Sequence, residues 1–219
     1  MNIRKIYVYG CGGTGSHVLN GLARINHALQ VRQISAIHVT AYDFDSVTHA
    51  NVGRQAFFPV DVGHNKAKVL IERINMHYRF HWKAMTCKAG SSSSCDLAIS
   101  CVDTKSARKS IYNARHAKGT YLIDCGNSRS SGQVLIGQHL GDLPNPYESN
   151  KELLEGDEPV DEPGCTDQDL KQDLFINSVI ADYALHYVWS MLRWQKINNR
   201  GVFLDLDQGV CNPVQNKET

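Results

Sequence analysis

The residues best suited to chemistry begin at Gly10-Cys11-Gly12-Gly13-Thr14-Gly15-Ser16, which satisfies Gly-x-Gly-x-x-Gly. Glycines let a backbone approach a phosphate, and a helix starting there offers unpaired N–H groups and positive potential. Alone the spacing is common, closes ordinary tight turns, and does not separate NAD from ATP. It is not a Walker P-loop, because no Gly-Lys-Ser/Thr follows. A second block, Asp43-Phe44-Asp45-Ser46-Val47, continues into Asn51, Arg54 and Gln55. A carboxylate at Asp43 can accept two hydrogen bonds from ribose hydroxyls. Arg54 with Lys66, after Val62-Gly63-His64-Asn65, suits a triphosphate whose charge must be compensated during transfer. Asp103 ends another apolar run, where it can hold Mg²⁺ bridging phosphates.

These residues need elements to position them. Residues 6–9 form a short apolar run directly before the glycines, and Val18, Leu19, Leu22, Ala23 and Ile25 recur at helical spacing after them. Strand, glycine turn and helix open a nucleotide-binding α/β fold. Further strands are expected at 36–42, 82–86, 97–102, 121–124, 133–137 and 202–206. Helices are expected at 66–76, 106–116 and about 166–192. Alternating helices and apolar strands imply a largely parallel sheet covered on both faces. Such sheets place ligands at the strand C-termini, where Asp43 and Asp103 fall.

Residues 141–164 depart from this pattern, with four of the six prolines and eight acids against Lys151. With few apolar side chains to offset ordering entropy, the segment reads as a long mobile loop, more a lid or binding segment than a linker. Cys165 follows it, before Thr166, a candidate helix cap, and Asp167 and Asp169, which suit the positive end of a helix. A thiol at a helix N-terminus is biased toward thiolate, although Asp161, Glu162, Asp167 and Asp169 push the other way.

Composition narrows the classes. The 219 residues suffice for one sizeable core, and 42% hydrophobic with 21% charged is an ordinary globular mixture. Lys and Arg total 23 against 22 Asp and Glu, so a global electrostatic argument for nucleic acid is absent. No run approaches the ~18 apolar residues of a membrane span, and the first residues lack a signal-peptide pattern. A cytoplasmic protein is expected. Seven cysteines, with no Cys-x-x-Cys pair, argue against a disulfide framework and against a four-cysteine zinc site.

Gly10-x-Gly12-Gly13-x-Gly15-Ser16, Asp43-x-Asp45-x-Val47, Asn51-x-x-Arg54-Gln55, Val62-Gly63-x-x-Lys66 and Asp103 together resemble the ThiF/MoeB family, the activating enzymes of ubiquitin-like and sulfur-carrier proteins. The resemblance runs over residues 6–192. The stretch from Gln172 to Asn177 further resembles the ThiF-family member of PRTRC gene clusters. The family implies one Rossmann-like adenylation domain over 1–219, a mixed, mostly parallel sheet flanked by helices, with an acidic crossover loop at about 141–165. It implies ATP and Mg²⁺, a homodimer, and a small ubiquitin-like β-grasp protein as partner, with a conjugating enzyme as a further partner. No membrane or nucleic-acid partner is expected. The terminal glycine carboxylate of the partner attacks the α-phosphate of ATP. By motif, Gly10, Gly12, Gly13 and Gly15 would face the phosphates and Asp43 the ribose, with Asp45 beside it. Asn51, Arg54 and Lys66 would neutralise the triphosphate, Gln55 would support them, and Asp103 would bind Mg²⁺. Cys165 matches the position of the family's conjugating cysteine, a thioester-forming nucleophile.

Singly these residues have ordinary readings: Asp45 caps a turn, Arg54 and Lys66 are solvated charges, and Asp103 ends a strand. Three departures also stand out. No Cys-x-x-Cys pair is available for zinc. The chain begins almost at its first strand, so an arginine supplied in trans from preceding helices is not expected. Thr104 occupies a position that is often Asn, which bears on a ribose or phosphate contact. Alternative readings are a non-catalytic scaffold subunit, an adenylating enzyme for a peptide or tRNA-linked carboxylate, and an NAD-linked oxidoreductase.

Overall fold

The computed structural model describes residues 1–88, 94–156 and 172–215. Strand β1 (Lys5–Tyr9) leads through the glycine turn into α1 (Gly13–Val31), followed by β2 (His38–Tyr42), α2 (Lys66–Tyr78) and β3 (Lys83–Met85). Next come β4 (Leu97–Ser100), α3 (Lys105–Tyr112), β5 (Tyr121–Asn127) and β6 (Ser131–Gln138). A short α4 (Pro146–Ser149), then α5 (Ile176–Trp194), β7 (Gly201–Asp205) and β8 (Val210–Pro213) complete the described elements.

The strands make one eight-stranded sheet in the order β3-β2-β1-β4-β5-β6-β7-β8. Pairing is parallel from β3 through β5 and antiparallel from β5 to β8. The fold is therefore a mixed, mostly parallel sheet flanked by helices. Along β1 the side chains alternate between two cores, as the period of a strand requires. Ile6 and Val8 join the larger core with Leu19, Leu22, Leu70, Ile180 and Val188, beneath α1, α2 and α5. Tyr7 and Tyr9 enter a smaller core with Tyr42, Leu122, Ile111 and Tyr147. Both clusters are buried, and each fully buried Leu or Ile contributes about 1.5–3 kcal/mol.

Local chemistry sets the helix boundaries that matter for function. The Asn65 side chain accepts from Lys68 N–H at 3.0 Å and caps α2, so Lys66 stands in its first turn. Thr104 accepts from Ala107 N–H at 3.2 Å and caps α3 directly after Asp103. Helix α5 begins at Ile176, later than the sequence pattern suggests, because residues 172–175 are not helical. Thr166, Asp167 and Asp169 lie outside the described residues.

Where composition suggests a mobile loop, residues 141–156 carry α4 and a 3-10 turn at Lys151–Leu153. Their few apolar side chains are placed to be used: Tyr147 is 2% exposed, and Leu153 and Leu154 pack beside it on the smaller core. Strand β8 was not foreseen in the sequence. All four of its residues are exposed, so it lacks the apolar periodicity that marks a half-buried strand.

Candidate nucleotide site

One cavity of about 1220 Å³ opens over the C-terminal ends of the parallel strands. Gly10, Gly12, Gly13, Asp43, Asp45, Arg54, Gln55, Lys66, Asp103 and Thr104 all line it. Residues far apart in sequence thus meet where an open α/β sheet takes its ligands.

The glycine turn shows why glycine is required there. Gly10 has φ +84°, and a Cβ on it would stand 2.7 Å from the Cys101 carbonyl oxygen. Gly15 does not line the cavity; a Cβ there would meet the Gly10 carbonyl at 1.9 Å. It lets α1 pack on the strand, a role distinct from facing a phosphate. Beside Gly12, in contrast, a Cβ would find only Gln55 Oε1, at 3.9 Å, leaving a shallow open cradle at the start of α1. Gln55 is buried, and its Oε1 has no hydrogen-bond partner among the described residues. An open cradle and a helix N-terminus fit a phosphate group, and the unpartnered Gln55 oxygen offers an acceptor to a ligand hydroxyl or N–H.

Asp43 is fixed beside the turn. Its Oδ2 accepts from Cys11 N–H at 2.6 Å and its Oδ1 from Asp45 N–H at 2.8 Å. Burial pushes its carboxyl pKa up, while these two donors and Lys66 pull it back without cancelling the rise. Each oxygen keeps acceptor capacity for a hydroxyl. Cys11 belongs to the core, and burial holds its thiol well above the usual range, so it is a packing residue.

Lys66 reaches Asp45 Oδ2 at 3.4 Å, with 12% of its side chain exposed against 50% for Asp45. The pairing follows from the backbone: Lys66 N–H donates to the Asp45 carbonyl, and Asn65 Nδ2 bonds the carbonyls of Asp43 and Asp45. The segment bearing Arg54 is held from several sides. Ser16 Oγ accepts from Ala56 N–H at 3.0 Å, and Arg73 donates to the Ala56 carbonyl while pairing with Asp61. His17 meets the Arg54 backbone, and burial lowers the imidazole pKa. Asn51 belongs to this scaffold. Its Oδ1 accepts from Thr48 N–H at 2.9 Å and its carbonyl from Gln55 N–H, and it does not line the cavity. The structure therefore does not bring Asn51 to the cavity wall. Thr104 lines the cavity, with its hydroxyl engaged as the α3 cap.

Asp103 is exposed at the cavity edge, and among the described residues no three His, Cys, Asp or Glu side chains cluster as a metal site. A cation here would rest on Asp103 with ligand oxygens and water completing its shell, which is the habit of Mg²⁺. Cys165, the expected nucleophile, lies outside the described residues.

Sequence reasoning gave one wall, which includes Gln172 and Asn177, no role in the site. Arg54 Nη1 donates to Gln172 Oε1, which also accepts from Asn177 Nδ2 at 3.3 Å. Asn177 Oδ1 accepts from Thr14 Oγ1 at 3.3 Å and from Asn127 Nδ2 at 3.1 Å. This network ties the start of α5 to the glycine turn. Gln133, Phe203 and Asn212 carry the wall outward along β6, β7 and β8. The available signal was the alternation of β7, where Val202 and Leu204 are buried and Phe203 faces out.

Comparison with known proteins agrees with this architecture. A model of the ThiF family matches residues 2–208. Among solved structures, selenomethionine PaaA aligns with a TM-score of 0.67 and 16% identity, over 97% of this chain and 64% of that one. E. coli MccB with MccA-N7isoASN aligns with a TM-score of 0.69 and 18% identity, over 98% of this chain and 64% of that one. E. coli MccB with ATP aligns with a TM-score of 0.62 and 14% identity, over 97% of this chain and 63% of that one. The chain thus spans under two thirds of the length of these structures. No curated protein sequence matches it. At these identities the solved structures establish the fold, and the family match over 2–208 together with that fold shows that the chain belongs to the ThiF family.

Proposed function

We propose that the chain is an adenylating enzyme that activates the C-terminal carboxylate of a small ubiquitin-like β-grasp protein with ATP. The observation that carries this reading is the meeting of Arg54, Lys66 and Asp103 around the open glycine turn in one cavity. A dinucleotide site needs the turn and Asp43; the added cations suit a triphosphate. That MccB was solved with ATP supports a nucleotide in this fold.

In the proposed reaction a substrate carboxylate oxygen bonds to the α-phosphorus. The bond from that phosphorus to the bridging oxygen breaks, and pyrophosphate leaves with the electron pair. The glycine turn and α1 N-terminus hold phosphate oxygens, Asp43 orients the ribose, and Arg54 and Lys66 stabilise charge on the leaving group. Asp103 would hold Mg²⁺, which supplies charge neutralisation of the phosphates. Cys165 then takes the acyl group as a thioester, releasing AMP. The active form is a homodimer, with a conjugating enzyme as a further partner.

ATP–pyrophosphate exchange tests this. Exchange should require the ubiquitin-like protein and its terminal glycine. Arg54→Ala or Lys66→Ala should lower it by roughly a hundredfold or more without unfolding the chain. Retained exchange in both variants would overturn the assignment. Cys165→Ala should leave exchange intact and abolish the thioester. A second reading, a peptide carboxylate as substrate, is favoured by the MccB structures holding MccA. Exchange with a peptide and not with a ubiquitin-like protein would select it.

A further inference from the structure

Residues 141–156 lie along α3 as a strap fastened at three points. At the far end, Tyr112 Oη donates to Glu148 Oε1 at 3.4 Å, and the Tyr112 and Tyr147 rings meet edge-on. In the middle, Tyr147 Oη donates to Asp124 Oδ1 at 2.9 Å. At the near end, Lys105 Nζ donates to the Glu155 carbonyl at 2.6 Å, two residues beyond Asp103.

The middle fastening continues inward. Asp124 is 1% exposed, and the oxygen that receives Tyr147 also accepts from Arg108 Nε at 3.2 Å. Arg108 is itself buried, and its Nη1 donates to the Asp103 carbonyl at 3.4 Å. The other arm of Arg108 lies over Gly126, where a Cβ would stand 3.2 Å from Nη2 and 2.4 Å from Gln133 Nε2. Burying an ion pair is weak support for stability, since apolar side chains of similar volume commonly do as well. What apolar side chains cannot supply is a directed bond to the backbone carbonyl of Asp103 itself. Arg108 makes that bond while one carboxylate holds it against Tyr147.

We propose that Arg108 is a positioning residue that sets the loop carrying Asp103, and that Tyr147 makes this setting depend on the docked strap. Docking of residues 141–156 and order at 102–105 are then one equilibrium, and any ligand that uses Asp103 draws on it. The nucleotide part of this inference rests on the function proposed above; the coupling between strap and loop does not.

Hydrogen exchange on the ligand-free chain tests the coupling directly. Tyr147→Phe removes one hydroxyl from a residue that does not line the cavity. It should speed exchange several-fold at the amides of residues 107 and 108, which donate to Thr104 in the loop, as well as at 145–150. Arg108→Lys keeps a cation beside Asp124 and should retain most of the thermal stability. A single ammonium lacks the planar fork that reaches both Asp124 and the Asp103 carbonyl, so protection at the amides of residues 107 and 108 should still fall. Restored protection in the lysine variant, or faster exchange confined to 145–150 in Tyr147→Phe, would overturn the proposal. Should Tyr147→Phe not fold, Tyr112→Phe loosens the same strap at Glu148 and leaves Asp124 and Arg108 unchanged. MgATP titration of the same proteins adds a second readout, with affinity expected to fall several-fold in Tyr147→Phe. Wild-type chain that binds no MgATP would count against the nucleotide reading, while the exchange result would still decide the coupling.

Discussion

Asp43 sits where desolvation and hydrogen bonding oppose each other. Two backbone N–H groups, at 2.6 and 2.8 Å, hold a carboxylate that burial would prefer neutral. Asp43→Asn keeps the shape but turns one acceptor end into a donor facing an N–H group. Nucleotide affinity should drop about tenfold or more, read by calorimetric titration, because a hydrogen bond to a charged acceptor is worth roughly 1.5–3 kcal/mol. His17 makes a different contribution. Burial lowers its pKa, as it does for His116, so the unfolded chain takes up protons first as pH falls below about 6.5. These two groups should therefore cost stability as pH falls below that point and contribute no pH dependence well above it. Thermal unfolding across pH 5–8 should show this slope, and His17→Gln should reduce it.

At the scale of elements, the contact of α1 with α5 includes Gly21, where a Cβ would stand 2.0 Å from Leu185 Cδ1. Gly21→Ala should change stability by no more than about 1 kcal/mol in denaturant unfolding, because the helix preference of Ala offsets displacement of the flexible, half-buried Leu185 side chain. Elements defined by periodicity were readable in the sequence. Strand β1, helices α1 and α2, and strands β4, β5 and β7 stand close to where apolar patterning puts them. Strand β8 and the strap at 141–156 were not, because their order comes from partners elsewhere in the chain. Val210–Pro213 is defined by pairing with β7, and Tyr147 by a carboxylate on β5. The candidate site divides the same way. Gly10, Asp43, Arg54, Lys66 and Asp103 are visible as motifs; Gln172 and Asn177 are visible as part of a resembling stretch but acquire a place in the site only from their hydrogen bonds, as does Arg108. Asn51 sits within a motif yet serves the turn behind Arg54.

For the molecule as a whole, the strand order has a consequence for the way the chain is made. Strand β1 is synthesised before the other strands of the sheet yet ends in its interior, between β2 and β4. Every strand of the parallel half has been synthesised by Asn127, before any of β6, β7 or β8. The face of α1 that carries Leu19 and Leu22 shares its core with Ile180, Ala184 and Val188, which arrive roughly fifty to sixty residues after Asn127. A nascent chain should thus hold a complete parallel half with one apolar face still bare, the kind of surface that chaperones and aggregation compete for. A fragment ending near residue 140 should bind a hydrophobic dye and aggregate at micromolar concentration, whereas the full chain should bind no dye and stop at the proposed dimer. Residues that close the cavity wall would then also be the last to release the protein from this exposed state.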